Sequence, residues 1–349
     1  MPKELGTNTY REIYLQPQSF EAVSGTLEKI YAVLDEVFAE EDAYDKVIFT
    51  GCGTSFYLAQ SAAHIFTTYT GKAACAVPCS ELYFFPELHT CGTHTLVVPI
   101  TRKSITTEVR MAIDKVREIP SVTTLSITCD AGSAAYNDYM VLSPDADEAS
   151  IVMTRSYTSM LYLVVVMSMY LAGQKIEAAQ AARIAAFAEQ QLPVMDALAK
   201  KIVQEHPHLN LYITLGQGEY YGVACESMNK MKEMGLTHSE AYYSLEYRHG
   251  PMSIVDRDTL VMMFAHSKTA ETDAKLMEQM KSFGAVTAVL GEDVSRFGAD
   301  YSLVLALGLG DACLAPVVSI IGQLMGYHIA CQKGLDADQP RNLSQAIVL

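Results

Sequence analysis

The segment from Leu215 to Pro251 carries the glutamate, lysine and histidine side chains of this chain that are best suited to proton transfer. Within it, Glu226, Lys230 and Glu233 are spaced four and three residues apart. A helix would therefore display all three on one face. Surface helices carry similar charge ladders for solubility, and the spacing alone favours that second interpretation.

The same segment opens with a Gly216-Gln217-Gly218 loop, which by itself is weak evidence for a dinucleotide site. The full GxGxxG fingerprint is absent because Gly222 falls one residue too late. We therefore reject a Rossmann-type oxidoreductase.

Two earlier segments combine hydroxyl side chains with the start of a predicted helix. In Gly51-Cys52-Gly53-Thr54-Ser55, the glycines allow close backbone approach and the helix start offers free N–H groups to a phosphate. The alternative is a plain strand-to-helix turn with Thr54 or Ser55 as N-cap.

The segment from Pro99 to Glu108 crowds four hydroxyls and two cations into one turn. Its alternative is a solvated loop whose serine or threonine caps a helix.

The segment from Glu148 to Thr158 precedes a long apolar helical run. Its Arg155 either reaches a ligand or pairs with an acid at a domain seam, and the sequence leaves both interpretations open.

These segments lie at the ends of predicted strands that alternate with helical patterns, which predicts an α/β fold with parallel sheets. The strands predicted in the first half are Lys46–Thr50, Thr95–Ile100, Val122–Ile127 and Tyr139–Leu142. Those predicted in the second half are Leu211–Leu215, Leu260–Phe264, Val286–Leu290 and Tyr301–Leu305. Both halves open with a strand, a glycine loop and a helix, which indicates a duplicated module. We place the boundary at residues 205/206, so that a first domain with an N-terminal helical segment spans 1–205 and a second spans 206–349.

The formal net charge of −15 excludes the basic surface that nucleic acids or anionic membranes require.

The eight cysteines form no CxxC pair, so a zinc site is not expected. Free cysteines in apolar runs indicate a reducing cytoplasm. The apolar stretches Ser159–Gly173 and Ala312–Ala330 are interrupted or too short for membrane spans and are predicted as buried helices. The polar N-terminus shows no signal peptide.

Taken in order, the segments resemble the isomerase half of glutamine–fructose-6-phosphate aminotransferase and its shorter sugar isomerase (SIS) relatives. These relatives are amino-sugar phosphate deaminases and fructosamine deglycases. The motifs that carry the resemblance are Ala224-Cys225-Glu226, Lys230-Met231-Lys232-Glu233, His238-Ser239-Glu240-Ala241-Tyr242, Arg248-His249-Gly250-Pro251 and the tail Asp336-Ala337-Asp338-Gln339-Pro340-Arg341-Asn342-Leu343.

The resemblance implies two SIS modules, each a flavodoxin-like three-layer sandwich of a parallel sheet flanked by helices, with a C-terminal tail that closes over the sugar. It implies that Glu233 moves a proton between C1 and C2, and that His249 opens the sugar ring from the neighbouring subunit of a homodimer. The residues that it implies for substrate binding are Thr54, Ser55, Thr101, Arg102, Lys103, Thr106, Ile151, Glu226 and Lys230. No motif requires a metal or an organic cofactor.

The chain departs from the family in three places. The second phosphate loop, usually Ser-x-Ser-Gly, reads Thr101-Arg102-Lys103-Ser104-Ile105, so it loses the glycine and gains a cation. Gln345 stands where the synthase has a lysine, and an amide cannot form a Schiff base. The chain starts directly with the SIS region, so we do not expect it to make ammonia from glutamine.

The leading hypothesis is therefore an isomerase/deaminase that releases ammonia from a phosphorylated amino sugar resembling glucosamine 6-phosphate. The alternative enzyme is a fructosamine phosphate deglycase that releases an amino acid. A third possibility, from another class, is a non-catalytic sugar-phosphate sensor, but no basic helix-turn-helix segment accompanies the modules.

Overall fold

The computed structural model describes residues 5–40 and 43–346. They form two compact units, and each unit contains one β-sheet. The first-sheet unit comprises residues 16–40, 43–148, 155–185 and 344–346. The second-sheet unit comprises residues 5–15, 149–154 and 186–343. The domain boundary at residues 205/206 stays a prediction.

The strands in chain order are β1 (Lys46–Gly51), β2 (Ala74–Pro78), β3 (Thr95–Thr101), β4 (Val122–Thr128), β5 (Tyr139–Leu142), β6 (Leu211–Gly216), β7 (His238–Tyr243), β8 (Thr259–Phe264), β9 (Val286–Gly291) and β10 (Tyr301–Val304). The helices are α1 (Thr7–Tyr14), α2 (Gln16–Ser24), α3 (Leu27–Val37), α4 (Thr54–Thr70), α5 (Cys79–Phe84), α6 (Pro86–Thr90), α7 (Thr107–Val116), α8 (Arg155–Leu171), α9 (Ala178–Glu205), α10 (Glu219–Gly235), α11 (Ala270–Ser282), α12 (Asp311–Val318) and α13 (Ile320–Lys333). Short 3₁₀ turns lie at Ala131–Ala135, Glu246–Arg248 and Pro251–Ile254.

The two sheets have the same strand order. The first runs β2-β1-β3-β4-β5 and the second β10-β9-β8-β6-β7, with every pairing parallel. Counted within each half of the chain, both orders are 2-1-3-4-5. This confirms the predicted α/β class with two parallel sheets, and the shared order is what a duplicated module would give. In such sheets, ligands bind beyond the carboxyl ends of the first and third strands, where the strand order reverses.

The first sheet is covered by helices on both faces, because its side chains alternate between them. Ile48 and Val97 pack in one apolar cluster with residues of α5 and α7. Phe49 and Val98 point the other way, toward residues of α3, α4 and α8. This arrangement forms the predicted three-layer sandwich in this unit.

The strands β2 and β7 are absent from the sequence-based prediction, and each lies at the edge of its sheet. The sequence of β2 is Ala-Cys-Ala-Val-Pro and that of β7 is His-Ser-Glu-Ala-Tyr-Tyr. An edge strand has one paired neighbour and more solvent, so it tolerates alanine, proline and polar residues that weaken a strand pattern.

One helical stretch of the described residues, Asp311–Lys333, is long and apolar enough to cross a membrane by length and composition, and 83% of its apolar window is buried. The stretch consists of α12 and α13. Residues 156–169 of α8 are likewise buried. Both apolar runs are thus buried helices, as predicted.

Two glycines on α13 bring this helix unusually close to α10. A Cβ added at Gly322 would lie 2.2 Å from the Oγ of Ser227, and one added at Gly326 would lie 2.5 Å from the carbonyl oxygen of Lys230. No side chain larger than hydrogen fits at either position without displacing α10. The glycines therefore set the position of the helix that carries the candidate charged residues.

Replacing Gly326 by alanine is expected to lower the free energy of unfolding by about 1–3 kcal/mol, because the added methyl group would overpack the contact between the helices. Gly298→Ala is the matched control, since a Cβ there meets no atom within 4 Å. Urea unfolding followed by circular dichroism would measure both variants. A Gly326→Ala protein that unfolds at the wild-type urea concentration would contradict the prediction.

Candidate active site

In the second-sheet unit, the turn from β6 into α10 requires glycine at two positions. A Cβ at Gly216 would lie 2.2 Å from the carbonyl oxygen of Tyr220, and Gly218 has a positive φ of 58°. The turn ends β6 and starts α10 at Glu219. Both glycines are thus required by the backbone geometry of this turn.

The three charged residues of α10 are brought together with a buried lysine at their centre. Lys230 is fully buried, and its Nζ lies 3.3 Å from Oε1 of Glu226 and 2.5 Å from Oε2 of Glu233. The Nδ2 of Asn229 donates a hydrogen bond of 3.0 Å to Oε1 of Glu233. The alternative of a solvated surface ladder is therefore wrong for these residues.

The protonation of Lys230 follows from its neighbours. Burial disfavours the ammonium, but the charges of Glu226 and Glu233 outweigh this cost, so the pKa of Lys230 is raised above its ordinary value. The lysine is thus a permanent cation between two carboxyl groups. Its buried position makes it an electrostatic anchor for them.

The two glutamates differ in their access to solvent. The side chain of Glu226 is 1% exposed, whereas that of Glu233 is 22% exposed. Glu233 can therefore meet a bound molecule while Lys230 and Asn229 hold its orientation. A carboxylate held in this way, with one side open, is suited to take and return a proton.

The segment that contains Ile151 is attached to the same unit by buried polar contacts. The carboxylate of Glu12 accepts hydrogen bonds from the backbone N–H of Ala149 at 2.7 Å and of Ser150 at 3.2 Å. The carbonyl of Thr154 accepts a 3.2 Å bond from the side chain of Gln323 on α13. Ile151 itself is half-buried.

The acidic residues of the C-terminal motif cap a helix of the second-sheet unit. Asp336 accepts from the backbone N–H of Gly6 at 2.9 Å, and Asp338 accepts from those of Asn8 at 3.0 Å and Thr9 at 2.7 Å. Carboxylates at the N-terminus of α1 satisfy unpaired donors and favour the helix dipole. The sequence motif thus has a structural function that the sequence analysis did not anticipate.

His249 lies on an exposed segment after β7. It follows the 3₁₀ turn Glu246–Arg248 and precedes Gly250, whose φ of 120° requires a glycine. Within the described part of the chain, no hydrogen bond or ion pair joins its side chain to Glu226, Lys230 or Glu233. The chain therefore presents this imidazole to solvent.

In the first-sheet unit, the turn after β1 is built around two glycines. A Cβ at Gly51 would lie 2.7 Å from the backbone carbon of Ser55, and Gly53 has φ 55°. Gly53 is the N-cap of α4, so the alternative in which Thr54 or Ser55 caps this helix is wrong. The first turn of α4 contains no acidic residue, which leaves the positive end of the helix dipole unopposed there.

The turn after β3 lies beside it, because Thr50 of β1 pairs with Pro99 of β3. Ser104 donates two hydrogen bonds to Asp130, from its N–H at 3.0 Å and from its hydroxyl at 2.6 Å. These bonds lower the pKa of Asp130 and keep it ionised. The hydroxyl of Thr101 donates to the carbonyl of Lys103 at 2.7 Å.

The remaining predicted residues of this loop differ in exposure and contacts. Arg102 is buried and donates a 3.0 Å hydrogen bond to the carbonyl of Gln345, whereas half-exposed Lys103 pairs with Asp147 at 3.1 Å. Thr106 is the N-cap residue of α7, but its hydroxyl makes no capping hydrogen bond. The loop therefore keeps Lys103 and Thr106 near solvent.

Gln345, which departs from the family pattern, connects the tail to this loop. Its side chain donates a 3.3 Å hydrogen bond to the carbonyl of Glu148, and its own carbonyl accepts from Arg102. The amide thus supplies a structural contact in place of an amine.

Among the described residues, Arg155 binds backbone carbonyls instead of pairing with the carboxylate of an acid, and its contact with a ligand stays a prediction. Its guanidinium donates to the backbone carbonyls of Asp145, at 2.6 Å, and of Asp147. These bonds stabilise a turn in which Asp145 has a positive φ of 52°. The arginine shapes the backbone before α8.

The second sheet contains a charged cluster that the sequence analysis missed, at the point that corresponds to the two turns of the first sheet. His266 follows β8, and its Nε2 lies 3.4 Å from Oε2 of Glu219 at the start of α10. Its Nδ1 accepts a 3.0 Å hydrogen bond from the N–H of Lys268. Asp311 accepts from the hydroxyls of Tyr220 at 3.2 Å and Ser267 at 2.5 Å.

The cluster distinguishes the two halves electrostatically. Where the first sheet presents hydroxyls and cations, the second presents two carboxylates around one imidazole. Carboxylates repel an anionic ligand. Within the described residues, the strand ends of the first sheet are the better place for a phosphate.

The His266→Gln variant is expected to lose more stability at pH 6 than at pH 8. Burial disfavours the imidazolium, but the hydrogen bond and charge of Glu219 outweigh it and raise the pKa of His266. The stabilisation is therefore complete below the unfolded-state pKa of about 6.5 and is lost as the pH rises through the folded-state value. Urea unfolding across this pH range would measure it, with exposed His94→Gln as the control. A loss that does not change with pH would contradict the assignment.

With this geometry established, the chain can be compared with known proteins. The SIS domain family model matches residues 42–170 and 208–330. The glutamine–fructose-6-phosphate aminotransferase of Vibrio cholerae is 28% identical over 323 residues, which are 87% of this chain and 52% of that protein. The enzyme of the same name from Francisella tularensis is 28% identical over 97% of this chain and 58% of its own. The chain thus spans about half the length of these curated relatives.

Two solved structures cover nearly the whole chain. The structure described as glucosamine-6-phosphate deaminase from Thermotoga maritima has a TM-score of 0.79 and 29% identity, and covers 98% of this chain and 100% of its own. Tagatose-6-phosphate ketose/aldose isomerase from Escherichia coli has a TM-score of 0.84 at 21% identity, covers 100% and 98%, and supports the fold alone. Because the family model matches both parallel sheets of the structure, the chain belongs to the SIS domain family and contains two SIS modules.

Proposed function

We propose that this protein is an enzyme that isomerises a phosphorylated amino sugar of the glucosamine 6-phosphate type and releases ammonia. The observation that supports it most is the α10 triad, in which buried Lys230 holds a partly exposed Glu233 ready for proton transfer. A module that only binds a sugar phosphate has no need of a carboxylate held in this way. The 29% identity with a structure described as a glucosamine-6-phosphate deaminase agrees with the proposal.

The reaction needs a base at the carbons that exchange a proton. After ring opening, Glu233 would take the proton from C2 of the open-chain aldose and return it at C1, so that the amine-bearing carbon becomes an imine. Water would add to this imine, and ammonia would leave as the ketose phosphate forms. Lys230 would keep the carboxylate in place and Glu226 would balance the charge of Lys230.

The phosphate would bind at the strand ends of the first-sheet unit. It would be held there by the positive end of the α4 dipole, the hydroxyls of Thr54 and Ser55, and the Lys103 and Thr106 side chains of the neighbouring loop. Buried Arg102 would add positive charge behind Thr101. Substrate contacts of Ile151 and the closing of the tail over the sugar remain part of this proposal.

We further propose that the protein works as a homodimer in the cytoplasm. The exposure of His249 in one protomer fits an imidazole that completes the site of a second copy and protonates the ring oxygen there. The eight free cysteines fit a reducing compartment.

Purified protein is expected to release ammonia from glucosamine 6-phosphate, and Glu233→Gln is expected to lower kcat by about 10²–10⁴-fold while substrate still binds. A glutamate-dehydrogenase-coupled assay would measure release, and calorimetry would measure binding. Glu271→Gln, an exposed glutamate paired with Lys275 on α11, is the matched control.

Three results would each redirect the proposal. If no ammonia is released from either glucosamine 6-phosphate or galactosamine 6-phosphate, the deaminase function would be excluded. A fructosamine phosphate should then be tested for release of a free amino acid. Sugar-phosphate binding without any turnover would indicate a sensor. Full activity in Glu233→Gln would remove this residue from the mechanism.

The dimer can be tested by combining two inactive variants. If Glu233 and His249 of one active site come from different chains, co-expressed Glu233→Gln and His249→Ala proteins would form mixed dimers with one intact site. About a quarter of the wild-type activity would return for random pairing in a symmetric dimer. A mixture as inactive as the separate variants would show that each site uses one chain.

A further inference from the structure

Two cysteines lie close together at the turn after β1. Gly51 at the end of β1 pairs with Pro78 at the end of β2, and the residue that follows each strand is a cysteine, Cys52 and Cys79. Neighbouring strands are about 4.8 Å apart, which falls within the Cα separation of about 4.4–6.8 Å that a disulfide requires. The side chain of Cys52 packs against the apolar cluster that contains Cys79. The hydroxyl of Thr50 lies 3.4 Å from the sulfur of Cys79.

The two cysteines differ in their exposure to solvent. Cys52 is half-buried, so a small molecule can reach it from the turn, whereas Cys79 is buried in the apolar cluster with Leu82 and Val109. A sulfur that is oxidised on the open side would therefore meet its partner before any external thiol. The contact between the two thiols raises the pKa of Cys52 and lowers the pKa of Cys79, so Cys79 supplies the thiolate that attacks the sulfur of Cys52 once that sulfur is oxidised.

We propose that Cys52 and Cys79 form a reversible disulfide with hydrogen peroxide, and that this bond lowers the affinity of the first-sheet unit for a phosphorylated ligand. Two S–H bonds and the O–O bond break, one S–S bond forms, both sulfurs are oxidised, and two water molecules leave. The effect on the ligand rests on the proposed function, whereas the formation of the disulfide does not.

A disulfide at Cys52 would displace the backbone of the turn after β1, because this turn is tightly packed. Gly51 is packed so closely on Ser55 that a Cβ would lie 2.7 Å from its backbone, and Gly53 holds φ 55°. The sulfurs would have to approach to about 2.05 Å, which draws Cys52 toward β2. The N–H groups that follow Gly53 would then shift, and a displacement of about 1 Å at a binding site can change function by about 10²-fold.

Peptide mapping without reducing agent would test the bond directly. After treatment with peroxide, the peptides that contain Cys52 and Cys79 are expected to appear cross-linked, and dithiothreitol is expected to separate them. Cys75→Ser is the matched control, because Cys75 lies on β2, four residues before Cys79, and pairs with Ile48 of β1. The cross-link should persist in Cys75→Ser and disappear in Cys79→Ser. A wild-type protein without the cross-link would overturn the proposal.

Calorimetry with glucosamine 6-phosphate would test the consequence. Oxidised wild-type protein is expected to bind at least about tenfold more weakly than reduced protein, with recovery after dithiothreitol, and Cys79→Ser should show no change. Cys79→Ala provides a second variant if serine prevents folding. An equal loss in Cys79→Ser would assign the effect to Cys52 alone, and a cross-link without loss of affinity would remove the regulatory part. Reduced protein that binds no sugar phosphate would contradict the proposed function, while the cross-link would still decide the disulfide.

Discussion

The ammonium group of Lys230 is the charge on which the candidate site depends. Burying a lysine ammonium group is unfavourable. Here the carboxylates of Glu226 and Glu233, at 3.3 Å and 2.5 Å from the Nζ of Lys230, offset this free-energy penalty. Loss of Lys230 would leave the carboxylates of Glu226 and Glu233 without their shared cation, so the three residues constrain one another. The glycines of α13 belong to the same constraint, because α10 is held against α13 where Ser227 and Lys230 meet Gly322 and Gly326. Packing and electrostatics therefore fix the same helix face.

The two modules show how one architecture supports two environments. Their sheets share the order 2-1-3-4-5, and both first turns depend on a close-packed glycine followed by a glycine with positive φ. The residue after that second glycine differs. Thr54 leaves the start of α4 attractive to an anion, whereas Glu219 places a carboxylate at the start of α10 and pairs with His266. The residue at this one position therefore changes the charge at the start of the helix in the two modules.

The sequence predicted the fold well where strands are central and apolar, and it predicted that Glu226, Lys230 and Glu233 share one face of α10. It missed β2 and β7 because edge strands lack a strong pattern. The spacing of Glu226, Lys230 and Glu233 predicted a shared face, but it could not predict burial, which depends on how closely α13 approaches. The backbone contacts of Arg155 and Asp338 could not be predicted for the same reason, since the positions of their partners arise only from the folded chain.

The capping of α1 by the C-terminal motif also constrains how the protein is made. Asp336 and Asp338 bind the N–H groups of Gly6 and Asn8, which are 330 residues away in sequence. During synthesis, the first helix leaves the ribosome long before its partners exist, so its N–H groups have no caps while both sheets form. The second-sheet unit, which combines residues 5–15 with residues 186–343, can therefore be completed only after Asp336 and Asp338 have been synthesised, whereas the sheet of the other unit can assemble while the chain is still growing.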